Sequence, residues 1–427
     1  MHLSCLPVGS RARLLHLSTD AFKSELLSVS FLAPFTAEQA QKNIMLLALA
    51  RRGTASYPTQ ALLNRHLDEL YSTSVSTVST RLGDREVLGF SADFLGRRYV
   101  GGGGLLPEVV AVLSDLLRRP YLTEQGLYRE DYVRTEKRNL RDAIRAEINN
   151  PRAYAMARCL ELLCPDEPFS LPLLGREADV ESIDPAGLKA RFDALKGEAL
   201  PVFCYVGSEG ADTVAACIRD AFDGYGGEGT PYMAINRCGA ETVRKEENMP
   251  LSQGKLALGF RTDLDDTEAI APVLVVLNEI YGGSPASKLF LNVREKRSLC
   301  YQCSSTIHMQ KGILCANSGM KPQNRAVTEE AMLDEMRHIA AGDISKTEWE
   351  AAMHTLADGY RQINDAPGVI ARFYTTRALR GRSESIDEWR DRVLGVTPDQ
   401  VVELAKHLFL RAVFFLNGNG DAGEDDE

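Results

Sequence analysis

Apolar positions along the chain form two series of short elements that repeat in the same order. From Ser24 onward, Leu26, Val29 and Phe31 give the pattern of a strand that breaks at Pro34. Thr36 and Gln39 have the form of a capping box, and the pattern then predicts a helix to Arg52, ended by Gly53. Further along, Leu256, Leu258 and Phe260 read as a strand and Asp265 and Asp266 offer a helix cap. Val273, Val276, Leu277, Ile280 and Tyr281 then share one helical face before Gly282 and Gly283. Phe31 to Phe260 and Gly53 to Gly282 have one offset, 229 residues. A second pair of matching segments opens at Thr135-Glu136 and at Thr347-Glu348. Each is a long helical pattern, running to Ile148-Asn149-Asn150-Pro151 in one case and to Ile363-Asn364-Asp365-Ala366-Pro367 in the other. A third pair runs from Ile183-Asp184-Pro185 through a helix to the strand Val202 to Gly207, and from Val396-Thr397-Pro398 through a helix to Val413 to Gly418. Three matches in one order predict two homologous α+β domains, over residues 1–223 and 255–427, with a linker over 224–254 rich in Gly, Pro, Asn and charge.

Composition narrows the function classes. A chain of 427 residues suits two domains, and 44% hydrophobic with 25% charged residues is ordinary for a globular protein. A net charge of -10 and the lack of a Lys/Arg-rich run exclude a nucleic-acid footprint. The acidic end, Glu424 to Glu427, reads as a solvated tail. No apolar run reaches the length of a membrane span. Met1 to Ser18 carries Arg11 and Arg13 after its apolar patch, the reverse of a signal peptide, which leads us to expect a cytoplasmic protein. The nine cysteines, an odd number scattered through apolar segments, agree with that expectation. Gly101 to Gly104 lacks a following Lys-Ser/Thr and is a flexible connection rather than a phosphate loop.

The segment Tyr281-Gly-Gly-Ser-Pro-Ala-Ser-Lys-Leu-Phe-Leu-Asn-Val-Arg-Glu-Lys-Arg-Ser-Leu-Cys-Tyr301 resembles the second-domain signature of the M16 (pitrilysin/insulinase/processing-peptidase) family of zinc peptidases. It departs from that signature at Ser298 and Cys300, where a Gly and an Ala are commoner. Together with the duplication, the resemblance covers nearly the whole chain. It implies two M16-type domains, each a mixed, largely antiparallel sheet flanked by helices, forming half of a clamshell around a peptide chamber. The resemblance is nearest to zinc-less cytoplasmic members of Gram-positive bacteria, some of which are associated by family name with elongation factor P modification.

Active members carry His-x-x-Glu-His on the first helix, because two His four apart reach one zinc and the Glu between them serves as base. Counting back from Gly53-Thr54, the five positions here are Ile44, Met45, Leu46, Leu47 and Ala48, none suited to bind zinc or accept a proton. The run Ile44 to Ala50 is apolar on every side and reads as a fully buried helix. No two of the seven histidines sit four residues apart, and the nearest imitation, His66 to Leu70, lies in an amphipathic helix. Cys300 and Cys303 have zinc-knuckle spacing without a second pair, and on a strand their sulfurs would point to opposite faces. We therefore expect no metal, no cofactor and no catalytic residue.

By the resemblance, Arg294 and Tyr301 match an Arg and a Tyr that contact bound peptide near the zinc of the other half. An Arg fork suits a peptide carbonyl or carboxylate, and a Tyr hydroxyl suits a developing oxyanion. The competing reading puts Arg294 in a surface charge cluster with Glu295, Lys296 and Arg297, and Tyr301 in the core. The implied function is a non-catalytic subunit that pairs with a zinc-bearing M16 partner and holds peptide. The alternative is a structural or chaperone-like peptide binder, for which Arg294 and Tyr301 are dispensable.

Overall fold

A computed structural model describes residues 2–9 and 11–418; the acidic end at 424–427 lies outside them. The chain forms two compact units, and neither is contiguous in sequence. The first comprises Met1–Arg145, Leu171–Met233 and Ile363–Glu384, and the second Ala146–Ser170, Ala234–Gln362 and Ser385–Glu427.

The first unit is built on a sheet of β1 (His2–Val8), β2 (Ala12–Ser18), β3 (Ser24–Pro34), β4 (Ser74–Leu82), β5 (Arg85–Leu95) and β6 (Val202–Gly207). Their order is β1-β2-β6-β3-β5-β4. Only β2 and β6 run parallel. The central β3 is buried along nearly its whole length, as its continuous apolar run requires.

The second unit repeats this plan with β7 (Val243–Met249), β8 (Gly254–Thr262), β9 (Gln302–His308), β10 (Ile313–Met320) and β11 (Leu408–Gly418), in the order β7-β11-β8-β10-β9. Here β7 and β11 are the parallel pair, and the other pairs are antiparallel. The two sheets therefore share one topology, with β1 as an extra strand on the first. Glycine closes the matching hairpins, Gly83 at φ 59° and Gly312 at φ 58°, both in the left-handed region that L side chains avoid.

Three local expectations are corrected. Residues 224–254 are not all linker, because Val243–Met249 forms the edge strand β7. Its sequence VRKEENM is charged and mostly exposed, so no apolar alternation marks it. Thr36 precedes the Ala37–Arg52 helix but makes no side-chain cap bond. The helix expected to open at Thr135 begins at Glu130, leaving Thr135 inside Glu130–Ala146.

The long helices of both halves break in one way. Glu130–Ala146 is followed by a 3₁₀ turn, Glu147–Asn149, and then by the helix Pro151–Leu163. Lys346–Gln362 is followed by Ile363–Asp365 and then by Pro367–Leu379. Proline lacks the N–H a continuing helix needs and pushes its predecessor out of the α region. Each break leads the chain into the other unit. Pro151–Leu163 belongs to the second unit, where Ala155, Cys159, Leu160 and Leu163 join Ala257, Cys315 and Phe414 in its core. Pro367–Leu379 belongs to the first unit, with Ile370, Ala371 and Ala378 buried, and Arg13 on β2 donates to the Ala378 carbonyl at 3.1 Å.

Candidate peptide-binding site

The helix Ala37–Arg52, where a zinc motif would lie, presents only aliphatic and thioether groups at the five motif positions. It is not buried all round as expected. Met45, Leu46 and Leu47 are buried, whereas Ile44 and Ala48, the two histidine positions, are half-buried. One turn on, Arg51 donates to the Val75 carbonyl of β4 at 2.5 Å, and Arg52 donates to the buried carboxylate of Glu136. That carboxylate is thus already matched by a fixed cation and by the Asn139 amide at 3.2 Å. These residues do not fit a zinc ion. Among the described residues no group of three or more His, Cys, Asp or Glu could hold a metal.

Deeper in the same unit, Asn43 donates to Glu86 at 2.8 Å and accepts from Arg191 at 2.7 Å. Burial raises the Glu86 carboxyl to about 7, against the hydrogen bonds of Asn43 and Ser79 and the Arg191 charge. This is a packing network that fixes the helix, with every member but Ser79 inside.

In the second unit, the helix Thr267–Asn278, capped by Asp266, continues as a π-helical turn, Glu279–Gly283. Gly282 is required there, because a Cβ would stand 2.7 Å from the Ser305 backbone nitrogen on β9. The chain then forms the segment Leu289–Lys296, also wound as a π-helix, a winding often found at functional sites. Its cations differ in their partners. Lys288 is buried and paired with Glu348 at 2.8 Å, while Asn292 donates to Glu335 at 2.8 Å and anchors the segment. Arg294 lies over the Phe290 ring at 4.5 Å and, among the described residues, pairs only with its neighbour Glu295, at 3.4 Å, with its side chain 39% exposed.

Ser298 follows at φ 51°, a left-handed conformation that favours glycine and gives the physical reason why glycine is commoner there. Tyr301 sits in a bend just before β9, with its N–H donating to the Gly319 carbonyl at 2.9 Å. Its side chain is 54% exposed, so it is not a core residue. Among the described residues its hydroxyl has no hydrogen-bond partner. Between Arg294 and Tyr301 lies Cys300, whose thiol feels the Arg294 charge. Cys300 and Cys303 do not point apart as expected, because the bend at Tyr301 turns their sulfurs into hydrogen-bonding reach of each other.

Sequence reading missed Leu291, which is 42% exposed on this segment. The signal available was its spacing of three from Arg294. An Arg seated on a ring and an exposed Tyr are the residue types that carry binding energy at interfaces. The pair can donate hydrogen bonds to carbonyl or carboxylate oxygens of a bound chain. It supplies no nucleophile and no base.

Comparison with known proteins agrees with this architecture. The family described as "Peptidase M16 inactive domain" matches residues 183–356. The chain is 29% identical over 409 residues to the probable inactive metalloprotease YmfF of Bacillus subtilis, covering 95% of each protein. It is 23% identical over 316 residues to an uncharacterised zinc protease of Streptomyces coelicolor, covering 72% of this chain and 67% of that one. Among solved structures, a conserved protein from Enterococcus faecalis superposes with a TM-score of 0.87 at 25% identity, over 99% of this chain and 100% of the other. An M16 inactive domain from Pseudomonas fluorescens superposes at 0.80 with 17% identity, over 98% and 99%, and so shows the fold. With two α+β sheets of one topology, the M16 match and a first helix that carries aliphatic groups where zinc ligands would stand, the chain is similar to inactive members of the M16 peptidase family.

Proposed function

We propose that this chain is the non-catalytic subunit of a two-chain M16 peptidase of the cytoplasm, and that Arg294 and Tyr301 bind peptide presented to the zinc of the partner subunit. The observation that carries this reading is the contrast within one short segment. Lys288 is committed to Glu348, while Arg294 and the Tyr301 hydroxyl are left open to solvent. Side chains kept for packing would be paired or enclosed; Arg294 on its anchored helix and Tyr301 in the bend before β9 are both open to solvent. The aliphatic groups at the motif positions of the first helix support a reading in which the partner does the cutting.

The test is peptide cleavage by the reconstituted pair. Arg294→Ala and Tyr301→Phe each remove a hydrogen bond to a charged or developing charge, on the order of 1.5–3 kcal/mol, so cleavage should fall more than about tenfold. Co-purification with the partner should stay unchanged, since both side chains are exposed. Unaltered cleavage by both variants would favour the chaperone-like reading instead.

A further inference from the structure

The thiols of Cys300 and Cys303 differ from the chain's other buried cysteines. Cys159, Cys204 and Cys315 are wholly enclosed, and burial pushes their thiols up, those of Cys159 and Cys204 to about 12. Such groups are inert. Cys300 and Cys303 hydrogen-bond to each other and to the Ser318 hydroxyl, which faces Cys303 across the β9–β10 pair. The Cys303 hydrogen bond, then that of Ser318, then the Arg294 charge, hold the Cys300 thiol below its ordinary value, while donating toward Cys300 raises that of Cys303. Cys300 is also within reach of a small oxidant. It is 8% exposed, and the next residue in the chain, Tyr301, is 54% exposed. A cation-stabilised sulfur with a second sulfur in contact is the arrangement of a thiol that oxidises reversibly rather than to a dead end.

We propose that Cys300 and Cys303 form a reversible disulfide, with hydrogen peroxide as oxidant, at the turn that carries Tyr301. The Cys300 thiolate attacks one peroxide oxygen. An S–O bond forms, the O–O bond breaks, and the departing hydroxide takes a proton to become water. The Cys303 sulfur then attacks the sulfenic sulfur of Cys300. The S–S bond forms, the S–O bond breaks, and the leaving hydroxide takes the Cys303 proton as a second water. Two thiols are oxidised to one disulfide, and one peroxide is reduced to two waters. The closed loop fixes the bend at Tyr301 and removes the negative sulfur beside Arg294, so peptide binding at this turn should change. That last step rests on the function proposed above; formation of the disulfide does not.

The experiment treats the intact protein with hydrogen peroxide, alkylates remaining thiols and maps them by mass spectrometry. The peptide holding residues 300–303 should lose both alkylation sites and two hydrogens, and recover them with dithiothreitol. In Cys303→Ser, Cys300 lacks its resolving partner and should be labelled by dimedone as a sulfenic acid. If Cys300 and Cys303 both stay alkylatable under peroxide that oxidises the exposed Cys5, the proposal is overturned, as it is if Cys303→Ser takes no dimedone. A second arm assays cleavage by the reconstituted pair before and after oxidation. A several-fold, dithiothreitol-reversible change supports the coupling to peptide. A disulfide with unchanged cleavage overturns that coupling, separately from the Arg294→Ala result that decides the peptide reading itself.

Discussion

Leu32 and Arg261 hold the same station in two sheets of one topology, next to matching hairpin turns, and are surrounded in opposite ways. In the first unit, Leu32, Leu82 and Val87 make a small apolar cluster with Val78, Tyr232 and Leu379 packed on it. In the second, Arg261 and Lys311, both fully enclosed, converge on Glu167, with Arg261 at 2.8 Å and Lys311 at 2.8 Å. The other Arg261 donors reach the Asn236 side chain and the Ile235 and Leu163 carbonyls. Leu163 and Leu379 end the two helices that follow the proline breaks. One fold thus fills one position either by desolvating hydrocarbon or by desolvating three charges that satisfy one another. The second solution tolerates no partial loss, because a buried charge without its partner has no compensation.

That difference sets the order of expected effects. Glu167→Ala strands two buried cations and should lower stability by roughly 3–5 kcal/mol, the largest effect, read from urea unfolding. Leu32→Ala, the matching change in the apolar cluster, should cost about 2–4 kcal/mol through lost contact and a cavity. If it proves the larger of the two, the comparison is wrong.

The first unit has buried acids of its own, among them Glu86. Burial lifts the folded value of Glu86 from 4.5 to about 7, so the fold favours its neutral form. The stability it contributes is therefore complete below 4.5 and is lost as pH rises through about 7. The slope approaches ~1.4 kcal/mol per pH unit in that window, and Glu86→Gln should flatten it. A slope that survives in Glu86→Gln would mean another group titrates there. The smallest effect is expected at the turn before β9. Ser298→Gly relieves a left-handed serine and should stabilise by about 1 kcal/mol or less, net of glycine's extra freedom when unfolded. Loss of stability in that variant would show that the serine hydroxyl matters more than its backbone.

The duplicated strands were legible because β3 and β8 are central and apolar, so burial writes itself into Leu26, Phe31, Leu256 and Phe260. The proline breaks were legible because Pro151 and Pro367 act locally. β7 was not, since an edge strand with both faces wet needs no apolar alternation, and Arg244, Lys245, Glu246 and Glu247 read as linker. The passage of Pro151–Leu163 and Pro367–Leu379 into opposite units left no trace in periodicity, because an amphipathic helix does not name the sheet it covers. At the site, the family resemblance pointed to Arg294 and Tyr301, which residue types and spacing alone did not single out, while the meeting of Cys300 with Cys303 depended on one bend that spacing alone cannot encode.

The exchanged helices also constrain how this gene could be divided. A polypeptide ending near Met233 would carry β3 and β6 without Pro367–Leu379, and the remainder would carry β8 and β11 without Pro151–Leu163. Each fragment would open a stripe of hydrocarbon to water along its central strands. Split genes would then have to be expressed together, and the fragments would rescue one another only by trading helices as they fold.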